Sequence, residues 1–425
     1  MKELESDGLF WLADKPDEKV AGHLKTDGRQ GAELVLIGAF HNPVLDFGGS
    51  VDRVRILGVA GNRYVTLDNC FRVAVSHKMP GVDQETYLVP TVFEGVHFDT
   101  NEELSFHAFE LRLSNLEHWV GIRGIALEQN VSQSGKDSVT LSYSQPESLV
   151  TPTIFGNLTL NFLYSLSCEY FEGEIAQCNQ FKFDFYEPQP LARILQLSAA
   201  LQDLLTIGAN GLSTIECLSL FHPDEGTKSG SGRVPYIPIA LHKAYRGKAL
   251  VQDKKAIHSV QMLFAFEDIR GLDGIAQWLE VTEKFKPVVA TLTAQWYRPR
   301  MYTDNRFFNA VTAAEALQRI CLQRKRVDLL KALKSLAEKA GDAFHVLVGD
   351  IDRWAKVVRA TRVNNVVHRG LCEDDNPELY FLSESLYFLV VLCLLQECGV
   401  PKDALAKVQR HQRFSFAKEQ IQARL

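Results

Sequence analysis

Long apolar runs, export signals and metal-ligand clusters are all missing from these 425 residues, and each absence narrows the reading. The longest apolar run, Leu386 to Leu395, is ten residues, too few to cross a bilayer. Met1 to Asp7 has no apolar core of the kind an export signal needs, so the chain is expected to be a cytoplasmic protein with no membrane partner. Its eight cysteines include no Cys-x-x-Cys pair and no Cys/His cluster at ligand spacing. They read as free thiols in apolar surroundings, and no metal or other cofactor is expected. Neither sign of charge dominates, with 46 Lys and Arg against 52 Asp and Glu, so the balance alone does not point to nucleic acid. There is no internal repeat and no long low-complexity linker, and the segments should therefore pack on one another.

From Gly8 to about Glu187 the pattern is mostly β. Short segments rich in β-branched and aromatic residues, such as Glu33 to Gly38, Arg53 to Val59 and Ser105 to Leu113, are divided by turn residues such as Gly61-Asn62 and Pro80-Gly81. Many short antiparallel strands predict a sandwich or a distorted barrel. Histidines in this part, including His23, His41, His97 and His107, have no ligand spacing and read as surface or satisfied core residues.

The segment from Pro188 to about Pro299 is mixed. Two prolines precede an apolar helix from Leu191 to Leu205, and strands are expected near Thr214 to Phe221, Tyr236 to Leu241 and Val260 to Phe266. A helix containing Trp278 should run from Asp268 to Phe285. The glycine-rich stretch Gly226 to Arg233 lacks the GxxxxGK[ST] order, and no strand leads from it into a helix. It reads as a hairpin loop and not as a phosphate cradle.

Four helices should follow, each with its own apolar stripe. The first, about Asn305 to Leu322, places Phe307, Val311, Ala314 and Leu317 at three- and four-residue spacing; the second spans about Val327 to Ala340. A third runs from about Ala343 to His368, with Leu347, Ile351, Trp354, Val358 and Thr361 on one side. The fourth, about Glu378 to Glu397, is apolar all round and should be the buried helix of a bundle. Gly399 and Pro401 end it, and a short polar helix follows.

The chemistry is concentrated at the end of the third helix, in Arg359-Ala-Thr-Arg-Val-Asn-Asn-Val-Val-His-Arg-Gly370. Arg362 offers a fixed fork of donors that matches phosphate oxygens, and His368, six positions on, can exchange a proton near neutral pH. Such a pair suits metal-free RNA cleavage, in which a 2′-hydroxyl attacks the adjacent phosphate. Asn364 and Asn365 could orient the imidazole or the RNA. A helix C-terminus also gathers cations simply because the macrodipole favours them there. Charge distribution adds weight: Arg298 to Arg369 holds 15 Lys and Arg against seven Asp and Glu. That basic excess suits an RNA-handling module or, equally, a solvated face. Arg306, Lys356, Arg359 and Arg369 are the candidate RNA contacts within it.

The Arg/His spacing resembles the R-x(4–6)-H motif of HEPN ribonucleases, and Tyr302 to Arg319 is similar to the first helix of the HEPN domain in ApeA-type anti-phage proteins. The opening Gly8-Leu-Phe-Trp-Leu through Val20-Ala-Gly-His-Leu resembles the ApeA N-terminal domain by its aromatic and glycine spacing. The resemblance implies a metal-independent endoribonuclease of abortive infection, with His368 as general acid/base and Arg362 binding the phosphate. It carries over Glu315 as a carboxylate that orients His368 or Arg362, for which the plain alternative is an i,i+4 ion pair with Arg319. It implies RNA as substrate, at least a homodimer, and a phage-derived trigger sensed by the N-terminal part.

The pattern departs from the family in one respect, since Val363 rather than a polar residue follows Arg362. On an unbroken helix six residues turn through about 600°, which points Arg362 and His368 roughly 120° apart. Arg359 or Arg369 therefore remains an alternative to Arg362. A non-catalytic RNA-binding or dimerisation module is the competing reading of the block. The expected architecture is α+β: a β-rich sensor over 1–187, a mixed connecting region over 188–299, and an all-α HEPN four-helix bundle over 300–425.

Overall fold

The computed structural model describes residues 4–27, 31–40, 53–98, 104–130, 137–223, 237–247, 250, 257–298, 301–322, 328–367 and 376–424, without the side chains of 27, 322 and 364–367. The glycine-rich loop at 226–233 and His41 lie outside the described residues.

Six antiparallel strands close on themselves at the start of the chain. They are β1 (Glu5–Leu12), β2 (Val20–Asp27), β3 (Gly31–Ile37), β4 (Val54–Ala60), β5 (Arg63–Ser76) and β6 (Gln84–Val89). β4 joins β1, β1 joins β2, β2 joins β3 and β3 joins β6, and a β5–β6 pairing completes the ring. Alternation fills it: Ala32, Leu34 and Leu36 of β3 point inward with Phe10, Leu24, Ile56 and Val65. Phe10 fits because two of its neighbours are glycines, since a Cβ at Gly58 would lie 2.4 Å from its ring and one at Gly22 3.2 Å.

The rest of the β structure is an open sheet attached to this barrel through β7 (Thr91–Glu94), which pairs with β5. Outward from β7 come β15 (Ile239–Lys243), β14 (Ile215–Phe221), β8 (Ser105–Leu113), β13 (Gly173–Pro190), β12 (Gly156–Cys168) and β11 (Leu149–Pro152). A separate hairpin, β9 (Ile125–Asn130) with β10 (Ser138–Tyr143), lies near β13, and α1 (Leu116–Val120) precedes it. The boundary expected at 187/188 falls within β13, and β14 and β15, from the expected connecting region, pair inside the same sheet.

α2 (Leu191–Gly208) lies across β8 and β13 and packs on α3 (Leu272–Tyr297). α3 does not stop at Phe285. Pro287 removes one backbone donor, Phe285 leaves helical geometry at φ −111°, and the helix continues beyond the kink. The strand expected over Val260 to Phe266 does not form either. A single 3-10 turn is followed by buried Met262, Leu263, Phe264 and Phe266; the Leu263 and Phe264 amides reach the Gly208 carbonyl and the Phe266 amide that of Trp119. An apolar run signals burial, and helix-loop carbonyls satisfy this one as well as a sheet edge would.

The helical block comprises α4 (Thr303–Leu322), α5 (Leu329–Ala340), α6 (Asp342–Val348), α7 (Ile351–Val367), α8 (Pro377–Glu397), α9 (Lys402–Arg410) and α10 (Gln412–Arg424). The single third helix of the sequence reading is therefore two, divided at Gly349, whose φ of +71° and ψ of −84° suit only glycine. The polar tail helix is also two, and α10 buries Phe414, Ala417 and Ile421. Among the described residues α8 is long and apolar enough to cross a membrane by length and composition, but α3, α4, α5, α6 and α10 surround it and bury nearly all of it. Asn376 caps its start by accepting from the Leu379 amide at 3.1 Å, and Pro377 occupies its first turn. One apolar core runs from the open sheet through α2 and α3 into this block, while the barrel keeps its own.

Candidate active site

α7 is oriented by its buried stripe. Trp354, Ala355 and Val358 are fully buried; the Trp354 indole N–H donates to Ser385 Oγ on α8 at 2.8 Å, and Phe344 of α6 meets its ring edge to face at 4.9 Å. Arg362 lies one turn beyond Val358 and so shares the inward side of the helix. Its guanidinium forms an ion pair with Glu315, carried on α4 beside buried Ala314 and Leu317. Both partners are partly buried, with side-chain exposures of 35% and 23%. The carboxylate thus bridges α4 to α7 and does not pair with Arg319, its i+4 neighbour.

On its outer side α7 shows Arg353, Lys356 and Arg359 to solvent. Arg359 lies 3.7 Å from Asp328, and Lys334 on α5 pairs with Asp352 at 2.6 Å. With two of these four cations paired to Asp328 and Asp352, this side of α7 keeps a modest cationic ridge on the helix that carries Arg362. α7 is helical through Val367. Asn364 and Asn365 are on it, but their side chains lie outside the description, and His368 and Arg369 lie outside the described residues. The structure therefore brings together Arg362 and Glu315, with Arg359 and Lys356 on the same helix.

Arg306, expected among the RNA contacts, is turned inward. Its guanidinium donates to Gln295 Oε1 at 2.8 and 3.2 Å, stands 3.6 Å from Glu384 and lies over the Tyr380 ring. A carboxylate, an amide and an aromatic face hold it between α3, α4 and α8.

That same Glu384 anchors a buried cluster that sequence reasoning missed. Arg413 of α10 donates to both of its oxygens, at 2.7 and 2.8 Å, and to Asn210 Oδ1 at 2.6 Å, with its guanidinium over Tyr387. Burial works against the Arg413 charge, but the Glu384 carboxylate beside it more than offsets this and raises its pKa above the ordinary arginine value. The available signal was a lone glutamate in the apolar run of α8, which must find a cation. Asn210 sits just after α2, so the cluster ties the C-terminal helix to the β-rich part. Among the described residues no three His, Cys, Asp or Glu side chains are grouped to hold a metal ion.

Comparison with known families gives two matches. A family model described as ApeA N-terminal domain 1 matches residues 5–277, and one described as Apea-like HEPN matches residues 299–404. No curated protein and no solved structure matches the chain. The first match takes in β14, β15 and the start of α3, as the pairing of the sheet does; the second contains the whole Arg362 to His368 segment.

Proposed function

We propose, for a chain that belongs to the ApeA family and carries an ApeA-like HEPN domain, that it is an anti-phage effector whose helical block cuts RNA and whose β-rich part controls the cut. The observation that supports this reading best is the Arg362–Glu315 bridge. It holds a guanidinium at a fixed place on the motif helix, which also carries an exposed cationic ridge on which an RNA backbone can lie.

In the reaction proposed, Lys356 and Arg359 seat the phosphates, and Arg369 can extend that track. His368 takes the proton from a ribose 2′-hydroxyl, whose oxygen attacks the adjacent phosphorus. Arg362 neutralises the two anionic oxygens of the transition state. The bond to the 5′-oxygen breaks, the imidazolium of His368 returns its proton to that oxygen, and the products carry a cyclic phosphate, which one water opens to a 3′-phosphate, and a 5′-hydroxyl. Asn364 or Asn365 orients the imidazole, and Glu315 positions Arg362. No step calls for a metal. A dimer in which two motifs face one cleft is the expected working unit, with a phage-derived trigger acting through the β-rich part.

The test is cleavage of total cellular RNA in the presence of EDTA, with lysate of infected cells as the trigger source. The purified protein should cut, and His368→Ala should lose the cut while binding RNA within a few-fold of the parent. Equal cutting by both proteins would remove His368 from the mechanism and the central claim with it. An arginine substitution that abolishes binding, in a protein that never cuts, would favour the non-catalytic RNA-binding reading.

A further inference from the structure

β12 and β13 pair along nearly their whole length, Gly156 opposite Phe185 through to Cys168 opposite Gly173. The sheet supports only the first half of this hairpin. β11 pairs with β12 over Asn157 to Leu160, and β8 pairs with β13 only from Phe181 onward. Residues 163–179 therefore project as an arm, with no further strand on either edge among the described residues.

Its surface is not that of a solvated hairpin. Leu163, Tyr164 and Leu166 are exposed, and Tyr170 and Phe171 at the tip are 96% and 94% exposed. The β9–β10 hairpin extends the apolar face, because Tyr143 meets the Tyr164 ring at 4.8 Å while Leu127 and Leu141, a cross-strand pair, stay open to solvent. Natural edge strands are usually guarded by lysine, proline or a bulge. From Leu163 to Phe181 there is no Lys, Arg or Pro, and Glu169, Glu172 and Glu174 give the tip a negative charge that repels nucleic acid.

The opposite charge stands at the other end of the same arm. Arg123 is exposed and has no ion-pair partner among the described residues. Its neighbours bracket Gln177, which accepts from the Gly124 amide and donates to the Ile122 carbonyl, both at 2.8 Å. A tip anion on the arm and a cation on the loop packed at its base meet twice, simultaneously, when two arms lie antiparallel about a two-fold axis. From Gln177 to Glu174 the strand covers roughly 10 Å, with Glu172 just beyond in the turn, and that offset is identical in both copies.

We propose that this arm is a self-association element: a second copy of the chain covers it, arm against antiparallel arm, with Glu172 and Glu174 of one copy beside Arg123 of the other. The pairing closes the open strand edges and buries the aromatic tips. It does not use the helical block, so pairing of the bundles would set a separate mass that loss of the arm contact leaves in place.

Sedimentation equilibrium of the full chain tests it. The double variant Tyr170→Ser, Phe171→Ser should raise the dissociation constant of one association step at least about tenfold, the effect of losing a central aromatic anchor. At a concentration where the parent is dissociated its unfolding temperature should match the parent's, because both side chains then stand in solvent. Glu174→Arg and Arg123→Glu should each weaken association, and their combination should restore it. Association unaffected by the tip variant, including a parent that is monomeric at every concentration, overturns the proposal and leaves the arm to a foreign protein. A combined charge swap weaker than either single change overturns the antiparallel arrangement.

Discussion

Arg362 already has a carboxylate partner, and any phosphate that approaches must share the guanidinium with Glu315. Five donors make sharing feasible, but the carboxylate also repels the incoming anion. Glu315→Gln keeps the shape and removes the charge. RNA should then bind roughly two- to fivefold more tightly, the effect of removing one like charge at a partly screened site. Cleavage at saturating RNA should fall, because the guanidinium loses the contact that fixes it. Filter binding and single-turnover cleavage separate the two effects; equal changes in both would mean that Glu315 does not position Arg362. With both partners partly exposed, stability should change little. The spacing of Arg362 and His368 was legible in the sequence, as was Glu315. The choice of partner for Glu315 was not, since i,i+4 geometry offers Arg319 and only the packing of both α4 and α7 on α5 brings Arg362 into reach.

Within the helical block, the elements themselves were written plainly in the three- and four-residue spacing, as were the stops at Gly341 and Gly399, whereas the break at Gly349 and the division of α9 from α10 were not. A glycine between Val348 and Asp350 reads as a tolerated helix interior, yet Gly349 takes a backbone conformation that a Cβ disfavours, and this turns α7 away from α6. Because an added Cβ would meet only Gln422 side-chain atoms at 3.7 Å or beyond, Gly349→Ala should act through backbone strain alone. A loss of about 1–3 kcal/mol in denaturant unfolding is expected, and no loss would mean that the turn relaxes. The buried Glu384–Arg413 pair makes a sharper case. Glu384→Ala should destabilise by about 3–5 kcal/mol, since it strands a guanidinium among Tyr387, Phe388 and Trp296. Replacing both, as Glu384→Leu with Arg413→Met, should recover most of that loss. If the double variant is no better than the single, the pair contributes through Asn210 and the docking of α10. Sequence could flag Glu384 as a misplaced charge; it could not find a partner 29 residues away on a helix that reads as polar tail.

At the scale of the molecule the described residues form two cores, and this division was the least legible feature. A β-rich half was evident from its short strands, but ring closure depends on β5 serving β4, β7 and β6 in turn, a long-range pairing with no local signature. A polar cluster helps to hold the joint between the closed barrel and the open sheet. Glu94 of β7 pairs with Arg63 of β5 on the barrel side, and it accepts from His242 Nε2 of β15 at 2.6 Å on the sheet side. The His242 hydrogen bond above all, with Arg63 adding to it against the opposing effect of burial, holds the Glu94 pKa below the ordinary carboxylate value of 4.5. A depressed folded-state pKa means that the unfolded chain binds the proton more readily. The stabilisation from Glu94 is therefore fully present above about pH 4.5 and is lost as the pH falls through the lowered folded-state value. Glu94→Gln should destabilise by about 1.5–3 kcal/mol at neutral pH, the range for hydrogen bonds to charged groups, and should flatten the fall in stability below pH 4.5. Unfolding temperatures of both proteins between pH 3 and 7 are the measurement. Since the barrel has its own core and the sheet shares one with the helices, the acid loss should appear first in barrel strands by hydrogen exchange, with α8 still protected. Simultaneous loss of protection in α8 would mean that the two cores unfold as one unit and that Glu94 does not control their joint.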